Sequence, residues 1–108
     1  MVACELMGRI DTLRSLVEQD PANSRFRYML AMETMNSGDV EGAVAVFEET
    51  VSADPNYNAA YFHGGQALEK LGRVDAAKAI YRRGIEATTR NGDGHTRSEL
   101  QGALDMLG

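Results

Sequence analysis

Tryptophan is absent from this sequence, and cysteine and proline are rare: there is one cysteine, Cys4, and there are two prolines, Pro21 and Pro55. A single cysteine excludes a disulfide framework within the chain, which is typical of proteins from a reducing compartment. No histidine lies near Cys4 in the sequence. We therefore interpret Cys4 as a small packing residue rather than a nucleophile.

An excess of basic residues is also missing, since the formal net charge is −5 and the pI is about 4.9. A protein that binds a phosphate backbone needs a basic face, so nucleic acid is not predicted as a partner. The basic side chains between Arg73 and Arg90 are interleaved with Asp75 and Glu86. This alternation of charge is typical of a solvent-exposed helix face.

Long apolar runs are lacking as well. No run in the chain approaches the ~20 apolar residues that a membrane-spanning helix needs. The segment from Met1 to Gly8 has neither the basic start nor the apolar centre of a signal peptide, and Glu5 lies inside it. We therefore expect a cytoplasmic protein without a membrane association.

Runs of β-branched and aromatic residues are scarce, whereas good helix formers are common, so the composition predicts an all-α protein. Apolar residues recur at steps of three and four, which is the spacing of one face of a helix. The recurrence predicts six helices, at about residues 3–19, 23–36, 40–53, 57–70, 74–88 and 97–107. A loop rich in turn residues is predicted at 89–95.

Local signals mark several of the helix ends. Asn23 and Asp39 are predicted N-caps, because their side chains can accept a hydrogen bond from a free backbone N–H. Ser37-Gly38 is predicted to end the second helix, with glycine in the left-handed conformation. Thr96 and Glu99 match a capping box at the start of the last helix.

The chain contains two copies of one pattern. Four marks of the second copy lie 34 positions after their counterparts in the first: Pro21 and Pro55, Gly38 and Gly72, Ala43 and Ala77, Phe47 and Tyr81. Each copy holds two predicted helices separated by a glycine turn. One such pair cannot bury both its faces, so the copies are expected to stack side by side.

Three glycines fall inside predicted helices: Gly64, Gly65 and Gly84. Glycine in a helix interior costs about 1 kcal/mol relative to alanine, so each of them needs a reason. We interpret them as points of close backbone approach between the two helices of the second copy, where any Cβ would hold the helices apart. A role of the Gly64-Gly65 pair in contacting a ligand remains an alternative.

These marks resemble the tetratricopeptide repeat, a helical-hairpin family with a period of about 34 residues. The matching residues are Pro21, Leu30, Ala31, Gly38, Ala43 and Phe47, then Pro55, Tyr61, Gly65, Leu68, Gly72, Ala77 and Tyr81. The resemblance implies an all-α, right-handed superhelix of stacked antiparallel hairpins in one domain, residues 1–108. Its expected parts are a capping helix at 1–19, repeats at 20–53 and 54–88, and a second capping helix at 96–107.

The resemblance also implies that the first helix of each hairpin lines a concave groove. The candidate binding residues on these helices are Arg25, Tyr28, Met29, Met32, Met35, Asn36, Phe62, His63, Gln66, Glu69 and Lys70. One half of this set is apolar and rich in methionine, which suits a partner helix or an extended peptide. The other half is polar.

Two functions remain open for this groove. The first is a non-catalytic module that binds a peptide or helix of a partner protein. The second is a self-assembling element, a homodimer for example, in which the apolar face of the first helix meets the methionine-rich surface of another copy. Cover of the groove by a terminal helix of the same chain is a third interpretation.

An enzyme is not predicted. His63 and His95 lie in different elements without the spacing of paired metal ligands, and we interpret His63 as a hydrogen-bonding or half-buried residue. The stretch Asn91-Gly92-Asp93-Gly94 lacks the alternating ligands of a calcium loop and is interpreted as a turn. No glycine-rich phosphate loop is found, and no metal or cofactor is predicted.

Overall fold

The structure, a computed structural model, describes the backbone of residues 2–108 and the side chains of residues 8–108. Its six α-helices are α1 (Val2–Gln19), α2 (Ser24–Asn36), α3 (Val40–Ala53), α4 (Asn58–Lys70), α5 (Val74–Asn91) and α6 (Gly94–Met106). Residues 2–108 form no strand, so the predicted all-α class with six helices is confirmed. The side chain of Cys4 lies outside the described residues.

Each helix packs against the next one in the chain, and α4 also contacts α6. The pairs α2–α3 and α4–α5 are the two predicted hairpins, and they stack through α3 and α4. The helices α1 and α6 lie at the two ends of the stack. The result is an elongated slab with extents of 41 × 29 × 19 Å.

The helices α1, α3 and α5 share one buried position, which defines a common register of the repeat. Leu13, Phe47 and Tyr81 stand at intervals of 34 positions on α1, α3 and α5, and all three are buried. The helix α1 therefore corresponds to the second helix of a hairpin, and it packs on α2 as α3 packs on α4. This register gives each of the three helices a buried apolar residue at the equivalent position.

Two predicted N-caps are confirmed. The side chain of Asn23 accepts from the backbone N–H of Arg25 at 3.1 Å, and that of Asp39 accepts from the N–H of Gly42 at 2.9 Å. Gly38 has a φ of 96°, the left-handed conformation predicted for it. Polar capping at these ends satisfies backbone donors that the helix itself leaves free.

The predicted loop at 89–95 and the Thr96–Glu99 capping box are wrong. The helix α5 continues to Asn91, and α6 already begins at Gly94 with Asp93 as its N-cap. The Asp93 carboxylate accepts from the backbone N–H of Thr96 at 3.1 Å. The physical reason is that no proline stands where Pro21 and Pro55 end the earlier helices, so α5 extends until Gly92, at a φ of 80°, ends it.

The predicted backbone approach at the helical glycines is wrong, because the groups that come close to them are side chains. A Cβ added at Gly65 would lie 2.1 Å from Cε1 of the Tyr81 ring. A Cβ at Gly64 would lie 3.2 Å from Cβ of Phe47, across the interface between the two hairpins. Glycine in α4 therefore makes room for the large buried residues of α3 and α5.

Candidate functional site

The candidate residues are presented by two helices. The helix α2 carries Arg25, Tyr28, Met29, Met32, Met35 and Asn36, and α4 carries Phe62, His63, Gln66, Glu69 and Lys70. The structure brings Tyr28 to His63, with ring centroids 5.9 Å apart, and Met35 to the polar end of α4. Arg25 and Asn36 are exposed at the two ends of α2.

An aromatic cluster forms the middle of this surface. The Tyr28 ring lies 5.1 Å from the ring of Tyr57 and 6.2 Å from that of Phe47, while Phe62 lies 5.5 Å from His63. Tyr57 was missing from the predicted set. Its signal in the sequence is its position, 34 residues after the predicted N-cap Asn23, where a tyrosine side chain is a poor cap. In the structure Tyr57 makes no capping hydrogen bond.

His63 is half-buried between these rings. Burial lowers the pKa of the His63 imidazole below its ordinary value of 6.5, because the charged form loses its hydration. The hydrogen bond with Gln66 and the carboxylate of Glu99 on α6 act in the opposite direction. The imidazole is therefore neutral at pH 7.

We expect the stability of the protein to fall as the pH drops from 7 to 5. The unfolded chain takes up a proton on His63 near pH 6.5, whereas the folded protein takes it up only at lower pH because its pKa is lowered. The stability present above pH 6.5 is thus lost as the pH falls below that value. Thermal unfolding at several pH values measures this loss.

The variant His63→Gln should show a smaller fall over the same range. Equal pH dependence in wild type and His63→Gln would contradict the assignment.

A cleft opens beside the apolar half of the surface, between α1 and α2. Its volume is about 470 Å³, and it is lined by Arg9, Thr12, Leu13, Leu16, Tyr28, Met29, Met32 and Glu33. The Arg9 guanidinium lies 3.8 Å from the Glu33 carboxylate at its edge. The α1 residues of this cleft were predicted only as part of a capping helix, because nothing local in the sequence places α1 beside Met29.

The polar half of the surface forms a second depression, of about 320 Å³, lined by Met35, Gln66, Glu69 and Lys70. The Tyr81 hydroxyl donates a hydrogen bond to the Glu69 carboxylate. Burial and this carboxylate raise the pKa of the Tyr81 phenol, so that it remains a donor across the ordinary pH range. Glu69 is therefore tied to the core through Tyr81, whereas Lys70 is exposed.

Exposure differs along the surface. Met29 is 41% exposed, and Glu69 and Lys70 are exposed, while Phe62 and His63 are half-buried. The helix α6 contacts α4, and α1 packs against α2.

Among the described residues no group of three or more His, Cys, Asp and Glu side chains has an arrangement that could hold a metal ion. No helix within residues 2–108 is long and apolar enough to cross a membrane.

Comparison with known proteins relates this fold and surface to one family. The sequence profile of a tetratricopeptide repeat matches residues 28–92. A tetratricopeptide repeat domain protein from Salinibacter ruber is 38% identical, and its crystal structure aligns with a TM-score of 0.73 over 79% of this chain and 94% of that chain. An uncharacterised protein of Methanocaldococcus jannaschii is 30% identical over 69 residues, which are 64% of this chain and 80% of that protein.

A more distant structure shares the fold. The type III secretion chaperone SycD of Yersinia enterocolitica, in complex with a peptide of the translocator YopD, aligns with a TM-score of 0.84. The two chains are 15% identical, and the alignment covers 95% of this chain and 79% of SycD. The profile match spans more than half of the chain and includes most of α2 and all of α3, α4 and α5, so this protein belongs to the tetratricopeptide repeat family.

Proposed function

We propose that the protein binds a segment of a partner protein on the surface formed by α2 and α4. The observation that carries this proposal is the aromatic and methionine surface centred on Tyr28 and His63, whose rings lie 5.9 Å apart across two helices. Aromatic side chains offer a large apolar contact area, and methionine adapts its shape to an irregular apolar partner. Such a surface suits protein recognition better than it suits chemistry on a small substrate.

The polar end of the surface would orient a bound peptide. Gln66 is half-buried, Glu69 and Lys70 are exposed, and all three lie beside Met35. Polar groups at one end and apolar groups at the other fix the direction in which a peptide lies. The SycD structure with its YopD peptide is in accord with this proposal, since a protein of the same fold binds a peptide.

The self-assembling alternative receives less support. It requires the apolar face of α1 to be available to a second copy. In the structure α1 packs on α2 of its own chain, with Leu13 buried and Leu16 and Val17 half-buried. Sedimentation over a wide range of concentration tests this alternative, and a dimer would favour it.

Selection of peptides from a random phage-displayed library on the purified protein provides ligands for testing the proposal. The variant Met32→Glu places a carboxylate in the apolar half, and we expect selected peptides to bind at least about tenfold more weakly, a loss of about 1.4 kcal/mol. Met32 is half-buried, and the contact between the Tyr28 and Phe47 rings does not include it.

Ala45→Glu is the matched control, because it adds the same charge at an exposed position of α3. It should leave the affinity unchanged. Circular dichroism of both variants verifies that the helices are retained. Peptides that bind Met32→Glu as tightly as wild type would place the site elsewhere and contradict the proposal.

A further inference from the structure

We propose that the surface of α2 and α4 binds a partner segment in preference when His63 is neutral, so that acid weakens binding. The inference rests on the proposed function and adds the regulation of that surface by pH. It also assigns the chemistry of the partner side chain that covers His63, which is uncharged and apolar.

The surroundings of the His63 ring carry this inference. Its centroid lies 5.9 Å from that of Tyr28 on α2 and 5.5 Å from that of Phe62 on α4. It also lies 6.5 Å from the ring of Phe47 on α3, in a stacked arrangement with an interplanar angle of 21°. The residue is half-buried, so a charged imidazole keeps part of its hydration in the free protein.

One carboxylate acts on His63 from a neighbouring helix. Burial lowers the pKa of the His63 imidazole, and the hydrogen bond with Gln66 and the Glu99 carboxylate on α6 offset this effect only in part. Among the groups of residues 8–108, Glu99 is the one charge that changes this pKa. Glu99 also lies 3.3 Å from His95, so its charge is shared between two imidazoles.

The other helices packed around His63 face it with uncharged groups. The helix α2 presents the Tyr28 phenol, whose pKa is raised by burial, and α3 presents the ring of Phe47. On α5 the nearest titratable group of the cluster is the Tyr81 phenol, whose ring contacts Phe62 and whose pKa is also raised by burial. Both phenols therefore stay neutral across the range in which His63 takes up a proton.

A segment that covers this cluster removes water from the part of His63 that is still exposed. Loss of hydration disfavours the charged imidazole more than the neutral one. The bound segment therefore lowers the pKa of His63 further, and a protonated imidazole gives its proton to the buffer when the segment binds. By linkage, the affinity falls as the pH drops through the range in which the free protein takes up that proton.

An acidic side chain of the partner over His63 would reverse the sign of this effect. Such a carboxylate would lie against the rings of Tyr28 and Phe62, and it would be repelled by Glu99. At pH 7, where His63 is neutral, it would lose its hydration without a paired cation. The apolar surroundings therefore favour an apolar partner residue at this point.

The inference is tested by NMR titration of His63 in the free and the peptide-bound protein. The probes are peptides selected at pH 7 whose binding Met32→Glu weakens, without histidine and with blocked termini. The chain has two histidines, so the Cε1 proton signal that remains in His95→Gln belongs to His63. We expect a lower pKa of His63 in the complex than in the free protein, whereas an equal or a higher value would overturn the inference.

Calorimetry provides the second measurement. Titrations near pH 6 in two buffers of different ionisation enthalpy should show proton release on binding to the wild-type protein and none with His63→Gln. A further fall of the pKa by about one sets a limit of about tenfold on the change in affinity. We expect about threefold weaker binding at pH 5 than at pH 7 for the wild-type protein, and no such change for His63→Gln.

The outcomes separate the inference from the proposed function. Circular dichroism at both pH values verifies that wild type and variant are folded, so that a change in affinity is not a change in folding. Proton uptake, no proton exchange, or the same release by His63→Gln would overturn the inference and leave the proposed function standing. Failure to select any peptide that Met32→Glu weakens would instead overturn the proposed function, and the inference with it.

Discussion

Replacing Phe47 by alanine is expected to lower the free energy of unfolding by about 3–5 kcal/mol. Phe47 is fully buried on α3, and its ring lies 6.2 Å from that of Tyr28 on α2 and 6.5 Å from that of His63 on α4. Removal of this ring leaves a cavity where three helices and both hairpins meet. Stacked repeats owe their cooperativity to such interfaces, so the loss acts on the whole chain. Urea unfolding followed by circular dichroism measures it.

The effect of Leu13→Ala can be compared with that of Phe47→Ala, because the two positions are equivalent in the repeat. Leu13 occupies the equivalent position on α1, but it is 7% exposed and borders the open cleft. Water can enter the space left by the shorter side chain. We therefore expect the free energy of unfolding to fall by about 2 kcal/mol, the lower end of the range for leucine. An equal or larger loss for Leu13→Ala would contradict the description of α1 as the open end of the stack.

Replacing Gly65 by alanine is expected to destabilise the protein by about 1–3 kcal/mol. The added Cβ would lie 2.1 Å from Cε1 of Tyr81, a ring that is fully buried and held by its hydrogen bond to Glu69. The ring cannot yield without moving α5 away from α4. This cost outweighs the gain of about 1 kcal/mol that alanine brings to a helix.

Gly102→Ala is the matched control. Gly102 lies inside α6, and a Cβ added there meets nothing within 4 Å. The same substitution should therefore stabilise the protein by about 0.5–1 kcal/mol. Opposite signs at the two positions would separate packing from helix propensity. A destabilised Gly102→Ala, or a stabilised Gly65→Ala, would contradict the packing in the structure.

These two residues also link stability to the proposed function. The Phe47 ring packs against the rings of Tyr28 and His63. Gly65 lets α5 approach α4 near Phe62, whose ring lies 6.4 Å from that of Tyr81. The proposed binding surface is thus the exposed side of aromatic residues whose neighbours Phe47 and Tyr81 are buried in the core. Rigid support of this kind lowers the entropy that is lost when a partner binds.

The sequence alone determined the architecture, because Pro21, Gly38, Ala43 and Phe47 each recur 34 positions later, a local signal repeated in phase. It also determined the caps at Asn23 and Asp39, since a cap depends on side chains close to the helix start. The two helices that carry the candidate residues followed from the same periodicity.

Only the tertiary structure decided which rings surround His63 and where the cleft lies. Asp93 accepts from Asn58 at 3.1 Å as well as capping α6, a contact across 35 residues that no local pattern reveals. Tyr57 joins the surface through Tyr28, and Met29 faces α1, for the same reason. Periodicity specifies which side of a helix is buried, whereas contacts between helices depend on the packing of side chains that are far apart in the chain.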